Sequence, residues 1–195
     1  MRALRHIALG FLATSLLSGC FAVAVGGAAV GAAHDRRAFN TIVDDRNIQL
    51  SAYDNLNKDK ELALKNNVDI VVYDGTMLLI GEVRTEELKQ RAQERTSGFE
   101  GVRRVVNEIE VREPEGFWSR RRDNTISAHV KTALLDIRDL EGFDPTRVNV
   151  STAHRVAYLM GLVSREEAER TVEIARNVAG VERVVKVFEY SESSN

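Results

Sequence analysis

A segment of roughly eighty residues occurs twice in this chain, and that duplication limits the possible folds before any single element is considered. Val71-Val-Tyr-Asp-Gly-Thr-Met-Leu-Leu-Ile-Gly-Glu-Val-Arg-Thr-Glu-Glu-Leu88 recurs as Ser151-Thr-Ala-His-Arg-Val-Ala-Tyr-Leu-Met-Gly-Leu-Val-Ser-Arg-Glu-Glu-Ala168. Gly81 pairs with Gly161, and Glu86-Glu87 with Glu166-Glu167; Gly101-Val-Arg-Arg-Val-Val106 returns as Gly180-Val-Glu-Arg-Val-Val185 after a one-residue deletion. Two copies are too few for a solenoid, which needs at least three stacking units. The chain is therefore read as two small domains, each of which must close its own core.

Each copy has the same element order. Val68, Ile70 and Val72 alternate, Asp74-Gly75 offers a tight hairpin turn, and Met77 to Val83 returns as a second strand. In the second copy the strands run from Val148 to Thr152 and from Val156 to Val163. A helix follows, opened by Thr85 or by Ser164, where Ser164-Arg-Glu-Glu167 fits a capping box. The acidic pairs then sit in a first helical turn, where carboxylates complement the helix dipole. Helices stopping near Gly98 and Gly180 lead to third strands over Val102 to Val111 and Val181 to Tyr190, and amphipathic segments from Asp44 to Leu56 and Asp123 to Arg138 precede the strand pairs. The fold class is α+β, each unit α-β-β-α-β with a small mixed three-stranded sheet on two helices. Units this small bury a limited core, so the two are expected to cover each other's exposed faces; Phe39, Tyr53, Phe99 and Phe143 are read as packing residues.

The N-terminus fixes a compartment. Arg2 and Arg5 precede an apolar run from Ile7 to Leu17, too short to span a bilayer. Leu17-Ser18-Gly19-Cys20 resembles a bacterial lipobox, which makes Cys20 the acylated first residue of the mature chain. Phe21 follows it rather than the Asp that favours inner-membrane retention, so the expected address is the periplasmic face of the outer membrane. The sequence divides into a leader (1–19), the lipidated Cys with a small-residue spacer (20–43), a first domain (44–113), a linker (114–120), a second domain (121–190) and a tail (191–195).

The element order, with the Gly-ended second strand and the Gly-Val-x-x-Val closing strand, resembles the BON-domain family. A lipobox ahead of two such units is similar to the dual-BON outer-membrane lipoproteins. That resemblance implies binding of anionic phospholipid through the first helix of the second domain. It departs in one place: the aromatic expected near the start of that helix is Thr125 here.

The residues themselves point to the same region. Phe117-Trp118-Ser119-Arg120-Arg121-Arg122 holds the only tryptophan and the densest basic run. Aromatics beside cations suit an anionic bilayer interface. On the following helix Ile126, Val130, Ala133, Leu134 and Ile137 gather on a core side, leaving Leu135 opposite them with Lys131, Ala128 and Arg121. Phe117, Trp118, Arg120, Arg121, Arg122, Lys131 and Leu135 are the candidate lipid contacts, with Cys20 the anchor. The alternative is a protein adaptor whose sheets dock on an envelope machine such as the outer-membrane protein assembly complex. Nucleic acid is not an expected partner: 27 basic residues against 29 acidic give a net charge of −2, and losing Arg2 and Arg5 makes the chain more acidic still. No His-Glu-x-x-His, nucleophile elbow or phosphate-binding loop occurs, so neither catalysis nor a cofactor or metal is expected.

Overall fold

The computed structural model describes residues 39–191, which lie within one compact unit. The expectations for the leader, Cys20 and most of the spacer, and for the tail beyond 191, lie outside the described residues. The first copy runs α1 (Phe39–Asn57), α2 (Lys60–Lys65), β1 (Asn67–Tyr73), β2 (Thr76–Val83), α3 (Glu86–Thr96), β3 (Arg104–Asn107) and β4 (Glu110–Val111). The second runs α4 (Phe117–Leu134), a single 3₁₀ turn (Pro145–Arg147), β5 (Asn149–Ala153), β6 (Val156–Val163), α5 (Arg165–Arg176) and β7 (Arg183–Tyr190). In both sheets the middle strand pairs antiparallel with the strand before it and parallel with the strand after the helix. The sheets are mixed, as the sequence predicts.

The caps act where the sequence places them. Thr85 accepts from the Leu88 N–H, and Ser164 forms a full capping box with Glu167. Differences from the expected elements are few. The closing strand of the first copy is broken into β3 and β4, and Ile109 in the break is buried in the core. α2 is an additional turn of helix, capped by Asp59, whose carboxylate accepts from the Glu61 and Leu62 N–H groups. α4 opens at Phe117, inside the stretch read as linker, and closes at Leu134 rather than Arg138.

Strand periodicity builds three cores from two sheets. Ile70, Val72, Met77 and Leu79 face α1 and α3; Leu159, Val163 and Phe188 face α4 and α5. The alternate residues Val71, Tyr73, Leu78 and Ile80 meet Val156, Tyr158, Met160 and Val187 in a third cluster between the sheets. The layer order is helices, sheet, sheet, helices. Polar contacts tie the layers: the Tyr73 hydroxyl accepts from the Leu162 N–H at 3.3 Å, and Thr76 Oγ1 donates to Glu189 Oε1 at 2.7 Å. Tyr53, Phe99 and Phe143 pack against the cores as expected, but Phe39 does not; its side chain is 70% exposed.

Candidate functional site

The candidate site is the outer side of α4, and its position follows from what the helix buries. Asp123, Ile126, Val130 and Leu134 turn inward. Asp123 is anchored most firmly: its carboxylate accepts from the backbone N–H groups of His154 and Arg155 at 2.8 and 3.0 Å, in the β5–β6 turn. Asp45 on α1 does the same for Asp74 and Gly75, at 2.6 and 2.9 Å. These paired aspartates fix the rotation of each first helix over its sheet. The signal for them is Asp-x-x-Ile at the same place in both copies, Asp45 to Ile48 and Asp123 to Ile126.

With that side inward, all seven predicted lipid contacts on α4 and its end are exposed. Phe117 and Trp118 open the helix at 56% and 79% exposure, edge to face with ring centroids 5.4 Å apart. The Arg121 guanidinium lies 5.5 Å from the Phe117 ring centroid, within cation–π range. Leu135, 58% exposed, closes the helix in line with Phe117, five turns or about 27 Å away. Arg120 donates to Asn67 Oδ1 on β1 at 3.3 Å, and Arg122 to Ser119 Oγ at 2.6 Å. Among the described residues no carboxylate lies within ion-pair distance of Arg120, Arg121 or Lys131; Arg122 is 3.9 Å from Glu115. The face therefore offers aromatic and aliphatic tips together with cations that have no internal counter-charge. No described helix is long and apolar enough to cross a membrane.

At the head of α4 the structure joins residues that are scattered in the sequence. Glu82 of β2, Glu115 of the link and His154 of the β5–β6 turn bring one ligand-type atom each to within 4.8 Å of one another. Their own neighbours occupy them. His154 Nδ1 lies 2.6 Å from Glu115 Oε1, its Nε2 contacts the Arg112 guanidinium, Ser119 donates to Glu115, and Asn67 donates to Glu82 at 2.9 Å. A guanidinium can only donate, so Nε2 is the acceptor toward Arg112, while Nδ1 meets the Glu115 carboxylate as a close contact and not as an aligned hydrogen bond. Burial pushes the Glu82 carboxyl up, more than Asn67 lowers it. Burial pushes Glu115 up too, but the Ser119 hydroxyl and His154 outweigh it and leave Glu115 below its ordinary value. The cluster is a clasp between the domains, and a metal bound at Nδ1 would force the proton onto Nε2, against Arg112.

Comparison with known proteins agrees with this architecture. The family described as BON domain matches residues 44–113 and 122–192. The outer membrane lipoprotein DolP of Haemophilus influenzae is 32% identical over 189 residues, covering 96% of each chain. A 21 kDa hemolysin of Actinobacillus pleuropneumoniae is 34% identical over 156 residues, covering 80% of this chain and 79% of its own. Among solved structures, CdsD of the Chlamydia trachomatis type III secretion system aligns over 75% of this chain and 94% of its own, with 12% identity and a TM-score of 0.30.

Proposed function

Because this chain belongs to the BON-domain family and carries two such domains in tandem, we propose that it is a lipid-anchored protein of the outer membrane, held there by acylated Cys20, and that α4 of the second domain binds anionic phospholipid. In this reading the acyl chains hold the molecule at the periplasmic face. They set no orientation, and α4 supplies one by lying along the bilayer and inserting Phe117, Trp118 and Leu135 between headgroups that Arg121 and Lys131 neutralise. The role that follows is support of outer-membrane integrity, including at division sites, without catalysis. The observation carrying the proposal is the union on one exposed helix side of apolar tips with Arg121 and Lys131, which have no carboxylate within ion-pair distance among the described residues. Similarity to an outer membrane lipoprotein over nearly the whole chain supports the address.

The adaptor alternative, in which the sheets dock on an envelope machine, has less support, because the sheet faces turned from the helices bury each other and leave a partner the sheet edges.

The test is flotation of residues 20–195 carrying C20S, which cannot be acylated, with anionic or neutral vesicles at low and moderate salt. Wild type should float selectively with anionic vesicles. R121Q/K131Q should weaken binding by about tenfold or more, at about 1 kcal/mol per basic residue near an anionic surface. W118S/L135S should weaken it at least as far, because each apolar side chain contributes roughly 1.5–3 kcal/mol when fully buried. Equal flotation of the wild type with neutral vesicles, or none at all, would sink the reading.

A further inference from the structure

The duplication gives Phe117 a counterpart in the first domain. Asp45 and Asp123 are equivalent, each accepting from two turn N–H groups. The same step back from each reaches Phe39 and Phe117, the residues that open α1 and α4. Phe39 is the more exposed, 70% against 56%. Val43 and Leu50 follow it along α1, both exposed. At about 100° per residue these three lie within about 40° of one another, on the side away from the buried Asp45, Ile48, Ala52 and Leu56. Exposed Arg46, Asp54 and Asn57 share that sector, so three apolar tips stand among polar groups, an arrangement suited to a headgroup interface.

Two facts point the same way. Phe39 follows the proposed anchor by 19 residues, and a chain of that length from Cys20 cannot hold it further than about 65 Å from the acylated bilayer. Arg36-Arg37 stand two and three residues ahead of it, across Ala38, so this aromatic, like Phe117 with Arg120 to Arg122 one turn on, has a basic step within a few residues in the sequence. We infer that Phe39, Val43 and Leu50 form a second bilayer contact. The inference rests on the lipid reading of α4 and goes beyond it in one respect. The two first helices occupy opposite outer layers of the helices–sheet–sheet–helices stack, so their stripes face away from each other. On one flat bilayer the two contacts alternate. Between two vesicles both engage at once, and the vesicles are joined.

Residues 20–195 carrying C20S are mixed with phosphatidylglycerol-containing vesicles, and flotation and light scattering are read together. Wild type is expected to float and to cluster vesicles. F39S/L50S should still float through α4 but cluster roughly fivefold less or worse, since the second attachment supplies the avidity. W118S/L135S should retain measurable flotation through α1 without clustering, and the combined variant should do neither. All four positions are exposed, so circular dichroism and melting temperature should stay at wild-type values. Clustering by F39S/L50S equal to wild type overturns the inference, as does complete loss of flotation in W118S/L135S, while the α4 reading survives either result. A solution dimer that F39S/L50S dissolves also overturns it, assigning the stripe to a second copy. Absence of wild-type flotation removes both readings.

Discussion

Gly161 lies in β6, and a Cβ there would stand 2.5 Å from the carbonyl oxygen of Arg147; its counterpart Gly81 would meet the Asn67 carbonyl oxygen at 1.9 Å. Neither can carry a side chain, because backbone leading into the neighbouring strand crosses there, the end of the 3₁₀ turn over Gly161 and the first residue of β1 over Gly81. G161A should therefore destabilise the protein by about 1–3 kcal/mol, the usual cost of forcing extra volume into a packed core, measurable as a lower urea midpoint. A loss under a few tenths of a kcal/mol would mean the strands can separate without cost. The pair is visible in the sequence as a repeated glycine, but its cause is not, since close approach of two backbones is a tertiary fact. The Glu82–Glu115–His154 clasp is hidden for the same reason: its members stand in three elements and share no spacing.

Each hairpin turns on two left-handed residues. In the first domain these are Asp74 and Gly75, the residue types such turns favour. In the second they are His154 and Arg155, at φ of 52° and 59°, a conformation costing a non-glycine residue roughly 1–2 kcal/mol. Asp123 holds them there through two hydrogen bonds. R155G should raise stability slightly, by about 0.5 kcal/mol, the relief of strain exceeding the entropy glycine brings and the loss of an exposed ion pair to Glu182. Thermal unfolding at constant pH measures it, and a lower midpoint would show that the Arg155 side chain matters more than its backbone. At this scale most of the fold was legible: strand alternation, the Asp-Gly turn, and the Thr85 and Ser164 caps are local signals. The start of α4 was not. Its N-cap is Gly116, with no side-chain cap hydrogen bond, so no Ser, Thr, Asp or Asn marks the boundary and Phe117 and Trp118 read as linker. The candidate residues can be named from the sequence, but their common exposed side depends on the inward turn of Asp123, whose role appears only once the hairpin is in place.

The near-continuous apolar runs Met77 to Ile80 and Val156 to Met160 are what strands buried on both faces look like. Here the second face is the other sheet. The domains are expected to unfold as one unit. M160D, placing a carboxylate between the sheets where Met160 is 2% exposed, should separate the domains without filling the helix-facing cores. Calorimetry would then show two transitions in place of one; a single transition at a lower temperature would mean that neither domain survives alone.

That buried seam joins two copies of one unit within a single chain. As separate molecules they would meet only as often as their abundance allowed. Residues 112–116, between β4 and α4, keep the partners at an effective concentration on the order of millimolar. Pairing of the two faces is thus indifferent to dilution, and a scarce protein spread thinly over a large envelope keeps its assembled form at every copy.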